Sequence, residues 1–183
     1  MSAVTLLIGG ARSGKSALAV EIAAKAGGPV AFVATAEARD EEMSARIAQH
    51  RAGRDPTWTT FEEPIEIAEA VSKAPPESLV ILDCLTLWTS NLLDRGVGAS
   101  EGERRAREAS SAAATRANPV IVITNEVGSG IVPDNAAARA YRDLLGSINR
   151  IFADDARRVL YVAAGHVLNM KSPEEVINDV LDR

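Results

Sequence analysis

The spacing of glycine, lysine and serine near the start of the chain constrains its fold more than any other feature. Residues 9–16 read GGARSGKS and match G-x-x-x-x-G-K-[ST], a pattern in which backbone amides turn inward around phosphate oxygens. An apolar run precedes this phosphate loop and a helical pattern follows it, as the chemistry requires. The sequence therefore predicts a nucleoside triphosphate site. Its members are Gly9, Gly10, Ala11, Arg12, Ser13, Gly14, Lys15 and Ser16.

Two side chains of the phosphate loop and one distant carboxylate are expected to act on the phosphates. Lys15 is predicted to reach the terminal phosphates as a catalytic cation, and the Ser16 hydroxyl to bind Mg²⁺. Asp83 ends the apolar run 79–82, where a second nucleotide-site element would hold the same Mg²⁺. The alternative for Asp83 is the N-cap of the helix that follows it.

Five apolar runs have the length and β-branched content of buried parallel strands: residues 4–8, 30–34, 79–82, 120–124 and 159–163. Helical patterns separate them, at 17–26, 41–54, 65–73, 85–93, 101–114 and 136–156. This alternation predicts an α/β fold with a mostly parallel central sheet flanked by helices. We also expect a short edge strand within 58–62 and a C-terminal helix from about residue 172.

Composition limits the classes of protein that this chain can represent. Its 183 residues fit a single domain spanning 1–183, and a net charge of −5 disfavours a general nucleic-acid binder. The one cysteine, Cys84, excludes an internal disulfide and is predicted to be a small buried residue. A leader peptide pattern and a long apolar segment are both missing, so a cytoplasmic protein is expected.

Polar residues gather where the predicted strands end, at Thr35-Ala36-Glu37, Asp83-Cys84, Asn125-Glu126 and Gly165-His166. Ligands of a doubly wound sheet lie beyond these carboxyl ends. Glu126 opens a glycine-rich loop, 127–133, and is a candidate catalytic group that orients or deprotonates an attacking hydroxyl. The alternative is an ion pair between Glu126 and Arg139 or Arg142 of the next helix.

His50 is the candidate nucleophile of the chain. It shares one predicted helical face with Met43, Ile47 and Arg54, and its arginine neighbours disfavour a charged imidazole. A neutral histidine beside cations is suited to attack phosphorus. From the chemistry alone, a packed or surface histidine remains the alternative.

Four segments taken together resemble one family, the bifunctional adenosylcobinamide kinase / adenosylcobinamide-phosphate guanylyltransferases of cobalamin biosynthesis. They are residues 9–16, RIAQHR at 46–51 with Arg54 and Trp58, DCLT at 83–86, and TNEVGSGIVP at 124–133. The resemblance implies a RecA-like P-loop fold, a homotrimer and a His50 that carries GMP covalently. The positions implied to contact the guanine nucleotide or its metal are Thr35, Ala36, Glu37, Arg51, Ala52, Gly53, Arg54, Glu62 and Asp83.

The resemblance also implies two reactions, with Mg²⁺ as cofactor and a corrinoid as the small-molecule partner. Adenosylcobinamide is phosphorylated with ATP or GTP, and GMP then passes from GTP through His50 to give adenosylcobinamide-GDP. The residues alone leave three alternatives open. They are a P-loop kinase of another small metabolite with a structural His50, a RecA-like ATPase, and a nucleotide-binding regulator without transfer chemistry.

Overall fold

The computed structural model describes residues 2–181, which fold around one sheet of seven strands. The inner strands are continuous apolar runs because both faces of the sheet are covered. The strands are β1 (Val4–Gly9), β2 (Val30–Ala34), β3 (Thr59–Glu62), β4 (Leu79–Asp83), β5 (Val120–Asn125), β6 (Arg158–Ala163) and β7 (His166–Met170). Residue 1 and residues 182–183, the ends of the predicted domain, lie outside the described residues.

Helices connect the parallel strands and follow the last strand. They are α1 (Lys15–Ala26), α2 (Glu41–Ala52), α3 (Ile67–Lys73), α4 (Leu85–Asp94), α5 (Ala99–Ala114), α6 (Ala136–Asp155) and α7 (Pro173–Val180). Local sequence sets several of their ends. Gly27 ends α1 in the left-handed conformation at φ 69°, and the Asp40 carboxylate accepts a hydrogen bond from the Met43 amide at the start of α2.

The strand order is β3-β2-β4-β5-β1-β6-β7, so β1 lies between β5 and β6. All neighbouring strands pair in parallel except β6 and β7, which are antiparallel. The register places Gly9 level with Asn125, and Ala34 level with both Asp83 and Glu62. The carboxyl ends of six strands therefore meet at one edge, as the sequence predicted for the functional residues.

Hydrophobic side chains fill both faces of this sheet. Along β1, Val4 and Leu6 point to the face covered by α3 to α6, whereas Leu7 packs against α1 on the other face. The first face includes Trp88 and Phe152, which are almost fully buried. This two-sided core holds the carboxyl edge rigidly enough to position small ligands.

Three details differ from the sequence prediction. β7 was not predicted, because its residues HVLNM are all exposed and lack a continuous apolar pattern. Ala164 and Gly165 form a turn with φ of 50° and 78°, so His166 starts an antiparallel edge strand and does not lie at a parallel strand end. α3 begins at residue 67 and not 65, because the Glu63 carboxylate accepts hydrogen bonds from the Ile65 and Glu66 amides.

The predicted edge strand and C-terminal helix are both present. β3 pairs with β2 at the sheet edge, and α7 begins with a capping box between Ser172 and Glu175. Within residues 2–181, every helix is too short or too polar to cross a membrane.

Candidate nucleotide-binding site

The phosphate loop leaves β1 at the centre of the sheet and turns directly into α1. Gly9 lies so close to β6 that an added Cβ would stand 2.1 Å from the Val162 carbonyl oxygen, which only glycine avoids. Gly14 adopts φ 103° as the residue before α1, and the Gly165 amide donates to the Ser13 carbonyl from the β6–β7 turn. Both neighbouring strands therefore fix the shape of the loop.

The Lys15 ammonium lies inside the loop and is almost buried. Its Nζ donates to the Gly9 and Gly10 carbonyl oxygens at 3.1 and 2.6 Å, and to the Ser13 Oγ at 3.3 Å. Burial lowers the pKa of Lys15, although the Cys84 thiol and the Asp83 carboxylate oppose that effect. A cation held this way is positioned for phosphate oxygens before any ligand arrives.

Asp83 lies opposite Lys15 and meets the Ser16 hydroxyl. Burial raises the pKa of the Asp83 carboxyl, while a hydrogen bond with Ser16 and the nearby His50 and Arg54 act in the opposite direction. The N-cap of α4 is Cys84, which makes no side-chain capping bond, so the capping alternative for Asp83 is wrong. A carboxylate disfavoured by burial gains from a divalent cation, and Asp83 with Ser16 therefore fits Mg²⁺.

A cavity of about 670 Å³ opens between the phosphate loop and α2. Its floor is the carboxyl edge of the sheet, and one wall is α2, a helix without a buried residue. The predicted site residues that line it are Ala11, Arg12, Ser13, Gly14, Lys15, Ser16, Ala36, His50, Arg51, Arg54, Glu62 and Asp83. The volume suits a nucleotide, and the structure thus gathers sequence-distant candidates around one space.

His50 reaches this cavity from the last turns of α2 and lies close enough to Asp83 for an electrostatic interaction. Met43 and Ile47 of the same helix face are half-buried and also line the cavity. Met43, Ile47 and His50 therefore share the predicted helical face, whereas α2 ends at Ala52 and Arg54, predicted on the same helix, lies beyond it.

Two arginines at the end of α2 bind different partners. The Arg54 guanidinium stacks 3.5 Å from the centre of the Phe32 ring, and its Nη1 is buried without a hydrogen-bond partner among residues 2–181. Burial lowers the pKa of Arg54, while Asp83 opposes this effect. Arg51 forms an ion pair with Glu62 at the end of β3. A buried, unsatisfied guanidinium nitrogen beside the cavity is suited to an anionic ligand.

Several residues that were predicted to contact the nucleotide do not line the cavity. Thr35 is fully buried, and its hydroxyl both donates to the Cys84 carbonyl and accepts from the Cys84 amide at 2.8 Å. Glu37 is bound by Arg39 and Arg95, whose hydrogen bonds hold its pKa at about 2. The remaining predicted residues outside the lining are Gly9, Gly10, Ala52, Gly53 and Glu126. These residues shape the segments that carry the lining.

The Glu126 carboxylate binds the backbone of the loop that follows it. Its carboxylate accepts hydrogen bonds from the Gly128 and Ser129 amides at 2.7 and 3.1 Å. Arg139 instead donates to the Pro133 and Asp134 carbonyls, and Arg142 binds Asp143, so the predicted ion-pair alternative is wrong.

The protonation of Glu126 follows from the same contacts. Burial raises the pKa of Glu126, but the bonds from Ser129 and Gly128 outweigh it and leave the pKa below its usual value. A direct role for Glu126 in proton transfer stays a prediction.

The Cys84 thiol is a packed group beside Asp83. Its burial, reinforced by the Asp83 charge, raises its pKa to about 12, so it is not a thiolate nucleophile. The sequence predicted a small buried cysteine, whereas Cys84 is half-buried and lines the cavity.

Sequence reasoning missed three polar residues that organise the site. Asn91 of α4 is 3% exposed and binds the loops after β2 and β3. The Thr86 hydroxyl accepts from the Asn125 amide, and the Asn149 amide bridges Thr124 and the Asn125 carbonyl from α6. No sequence pattern pointed to these roles, because Asn91, Thr86 and Asn149 bind backbone groups of segments that are distant in the sequence.

The loop, its buried lysine and the carboxylate at the end of β4 define a P-loop nucleotide-binding protein of the α/β class. Two solved structures agree with this fold. The chain aligns with a RadB recombinase at a TM-score of 0.51 and 22% identity, covering 87% of this chain and 73% of that one. A Pyrococcus horikoshii protein aligns at 0.56 and 11% identity, covering 95% and 88%. The likeness shows a RecA-like fold.

Sequence comparison gives the family. The profile described as cobinamide kinase / cobinamide phosphate guanyltransferase matches residues 5–170, and the chain belongs to this family. It is 40% identical to the bifunctional adenosylcobalamin biosynthesis protein CobP of Pseudomonas aeruginosa, over 91% of this chain and 96% of that protein. The protein named CobU in Escherichia coli is 37% identical, over 91% and 98%.

Proposed function

We propose that this protein phosphorylates adenosylcobinamide with ATP or GTP and then transfers GMP from GTP to the product. Family membership supports the two activities, and one observation carries their combination. His50 and the Lys15–Ser16–Asp83 group face each other across a single cavity of about 670 Å³. One side of that cavity has the groups for phosphoryl transfer, and the other side has a nucleophile.

In the first reaction, the phosphate loop holds the triphosphate and Lys15 neutralises charge on its terminal phosphates. The substrate hydroxyl attacks the γ-phosphorus, the bond from that phosphorus to the bridging oxygen breaks, and the nucleoside diphosphate leaves. Such transfers depend mainly on positioning and charge neutralisation, which a buried lysine at the start of a helix provides. We propose that Glu126 helps to orient the corrinoid substrate by fixing the loop whose amides its carboxylate binds.

In the second reaction, an imidazole nitrogen of His50 attacks the α-phosphorus of GTP. The bond to the bridging oxygen breaks, pyrophosphate leaves and GMP remains on His50 as a phosphoramidate. The phosphate of adenosylcobinamide phosphate then attacks the same phosphorus and frees His50, which gives adenosylcobinamide-GDP. Splitting one displacement into two is the usual advantage of a covalent nucleophile.

The arginines and Glu62 are proposed to bind the guanine nucleotide during this step. Arg54 has a buried Nη1 without a partner among the described residues, and a phosphate oxygen would satisfy it. Arg51 and Glu62 pair at the cavity edge, where they can reach ribose or base. The predicted contacts outside the cavity lining would then act through backbone groups or by supporting the cavity wall. They are Thr35, Glu37, Ala52 and Gly53.

Mg²⁺ is the metal proposed for this site. Ser16 and Asp83 would hold it, and the ion would neutralise phosphate charge. The part of the chain that the structure describes contains no cluster of three or more histidine, cysteine, aspartate or glutamate side chains that could bind a metal alone. This fits a metal that arrives with its nucleotide.

We further propose a single cytoplasmic domain that works as a homotrimer and takes a corrinoid as its partner. The trimer is supported by the family resemblance and by the exposed apolar side chains of the last strand and helix. These are Val167, Leu168, Met170, Val176, Ile177, Val180 and Leu181. Apolar surface of this extent is commonly covered by another chain.

Product analysis tests the proposed function. The protein is incubated with adenosylcobinamide, Mg²⁺ and GTP, and the corrinoids are separated by chromatography and identified by mass. We expect adenosylcobinamide phosphate first and adenosylcobinamide-GDP later. Recovery of unmodified adenosylcobinamide alone, with GTP intact, would contradict the proposal.

A further inference from the structure

Asn91 lies within α4, outside the cavity lining. Its side chain joins α4 to two other segments, the connection after β2 and the connection after β3. Its Nδ2 donates to the Thr35 carbonyl at 2.7 Å and to the Pro64 carbonyl at 3.1 Å. Its Oδ1 accepts from the Arg39 Nη2 at 2.8 Å. Every polar atom of this buried amide is therefore used, and all three partners lie on connections that leave the sheet edge.

Each of these connections leads to a candidate site residue. Thr35 and Arg39 belong to the connection between β2 and α2, the helix that carries His50. Pro64 follows Glu62 at the end of β3, and the Trp88 Nε1 of α4 donates to the neighbouring Ile65 carbonyl at 2.8 Å. α4 itself starts at Leu85, two residues after Asp83. Asn91 thus links the connection after β2 and the connection after β3 to α4, the helix that follows the proposed metal site.

The placement of α2 depends on such links because the helix has no buried residue. Its first anchor is the connection from Thr35, which Asn91 holds. Its second anchor is the ion pair of Arg51 with Glu62, and Asn91 also holds the chain just after Glu62. Apart from the stacking of Arg54 on Phe32 just after the helix, these routes that position His50 pass through contacts of the same amide.

Charged side chains close the same connection on the surface. Arg39 forms ion pairs with Glu37 and with Asp94 at the end of α4, and Arg95 binds Glu37. These pairs tie the β2–α2 connection to α4 a second time. Exposed ion pairs contribute little each, so we assign the main constraint to the buried amide.

We propose that Asn91 is a positioning residue for guanylyl transfer, which places His50 and Glu62 relative to the phosphate loop without touching the nucleotide. This inference rests on the proposed function. The phosphate loop is held separately, by β1, β6 and its own lysine. Loss of Asn91 should therefore harm the step that uses His50 and spare the step that uses Lys15.

The test compares both reactions in Asn91→Ala with those in Thr89→Val. Thr89 is a matched control because it is fully buried in the same helix and its hydroxyl donates only to the Leu85 carbonyl of that helix. We expect Asn91→Ala to slow GMP attachment to His50 by about 10- to 100-fold, since small misplacements of reacting groups have effects of this size. We expect the kcat of phosphoryl transfer to change less than about twofold, and Thr89→Val to change neither rate selectively.

An exposed variant keeps the test decisive if Asn91→Ala does not fold. Arg39→Met removes the partner of the Asn91 Oδ1 and two ion pairs, and it should lower GMP attachment in the same selective way by a smaller factor. Equal loss of both activities in either variant would overturn the proposal, because that result indicates general damage. Unchanged GMP attachment in both would overturn it as well.

Hydrogen–deuterium exchange provides a readout that does not depend on activity. In Asn91→Ala, amides of residues 35–54 and 62–66 should exchange about tenfold faster than in the unaltered protein, whereas those of α1 and β1 should not change. Uniform acceleration, or none, would overturn the positioning role. If the unaltered protein fails to take GMP from GTP, the proposed function fails, and this exchange pattern still decides whether Asn91 positions the wall.

Discussion

The Lys15 ammonium is bound by oxygens of the loop that contains it, so its position is set before a nucleotide enters. Such preorganisation is the usual source of electrostatic catalysis, because no reorganisation is needed as charge develops. We predict that Lys15→Ala lowers the kcat of phosphoryl transfer by about 10²- to 10³-fold, measured by corrinoid phosphate formation. Lys25→Ala is the control, since Lys25 lies on the same helix and pairs only with Glu21 at the surface. Equal activity in both variants would exclude the proposed role of Lys15.

Neighbouring glycines of the loop differ in what a methyl group would meet. An added Cβ at Gly9 would lie 2.1 Å from the Val162 carbonyl oxygen, whereas one at Gly10 would meet nothing within 4 Å. We predict that Gly9→Ala destabilises the protein by at least about 2 kcal/mol, because backbone must shift, while Gly10→Ala costs less than about 1 kcal/mol. Urea unfolding measures both. A Gly9→Ala midpoint equal to that of Gly10→Ala would contradict the close approach of β1 and β6.

At this scale, residue types explain which site groups could be predicted. The phosphate loop and Asp83 were predictable because their chemistry requires particular side chains at fixed positions. Asn91 was not predictable, because it binds the backbone carbonyls of Thr35 and Pro64. Every residue has a backbone carbonyl, so residue types do not indicate which carbonyls are bound. Thr35 was predicted as a nucleotide contact, but its bonds to the Cys84 backbone were not predictable for the same reason.

At the scale of elements, α2 is the least anchored helix of the site. It has no buried residue, so its stability depends on its ends, and Asp40 caps the first turn through the Met43 amide at 2.7 Å. We predict that Asp40→Ala lowers the local stability of α2 by about 1 kcal/mol and slows GMP attachment to His50. Faster amide exchange confined to residues 41–52 measures the effect. Asp40→Ser keeps a capping oxygen and should restore it, and equal exchange in the Ala and Ser variants would contradict the prediction.

Apolar sequence patterns predict some strands of the sheet and miss others. Four inner strands, β1, β2, β4 and β5, were predicted because burial on both faces demands continuous apolar runs, and the largely apolar β6 was predicted although only Val162 is buried along it. β7 was missed because it pairs on one side only and all its residues are exposed, so burial imposes no pattern on it. The α3 start was predicted two residues early because the helical pattern does not show the local turn in which the Glu63 carboxylate binds the Ile65 and Glu66 amides.

At the scale of the whole molecule, β7 forms the edge of the sheet opposite β3, and both it and the following α7 have exposed apolar residues. We predict a trimer in solution, with a mass three times the 19.3 kDa of one chain. Sedimentation equilibrium at micromolar concentrations measures this mass. Leu168→Glu, on the exposed face of β7, should shift the protein toward monomer, with exposed Glu174→Gln on α7 as a control. A monomer at all concentrations of the unaltered protein would exclude the trimer.

We propose that one cavity serves two displacements, at the γ- and at the α-phosphorus. The two reactions share the phosphate loop but differ in their use of His50. We therefore expect the His50→Ala variant to keep phosphoryl transfer to adenosylcobinamide while it loses guanylyl transfer. Loss of both activities to the same degree would mean that His50 has a structural role.

The most direct measurement is covalent labelling with GTP that carries its label at the α-phosphorus. Protein and Mg²⁺ are mixed with labelled GTP without a corrinoid, and the denatured protein is then counted. We expect label that is stable in base and labile in acid, as a phosphoramidate is, and that is absent from His50→Ala. An unlabelled wild-type protein, or label that survives in His50→Ala, would contradict this expectation.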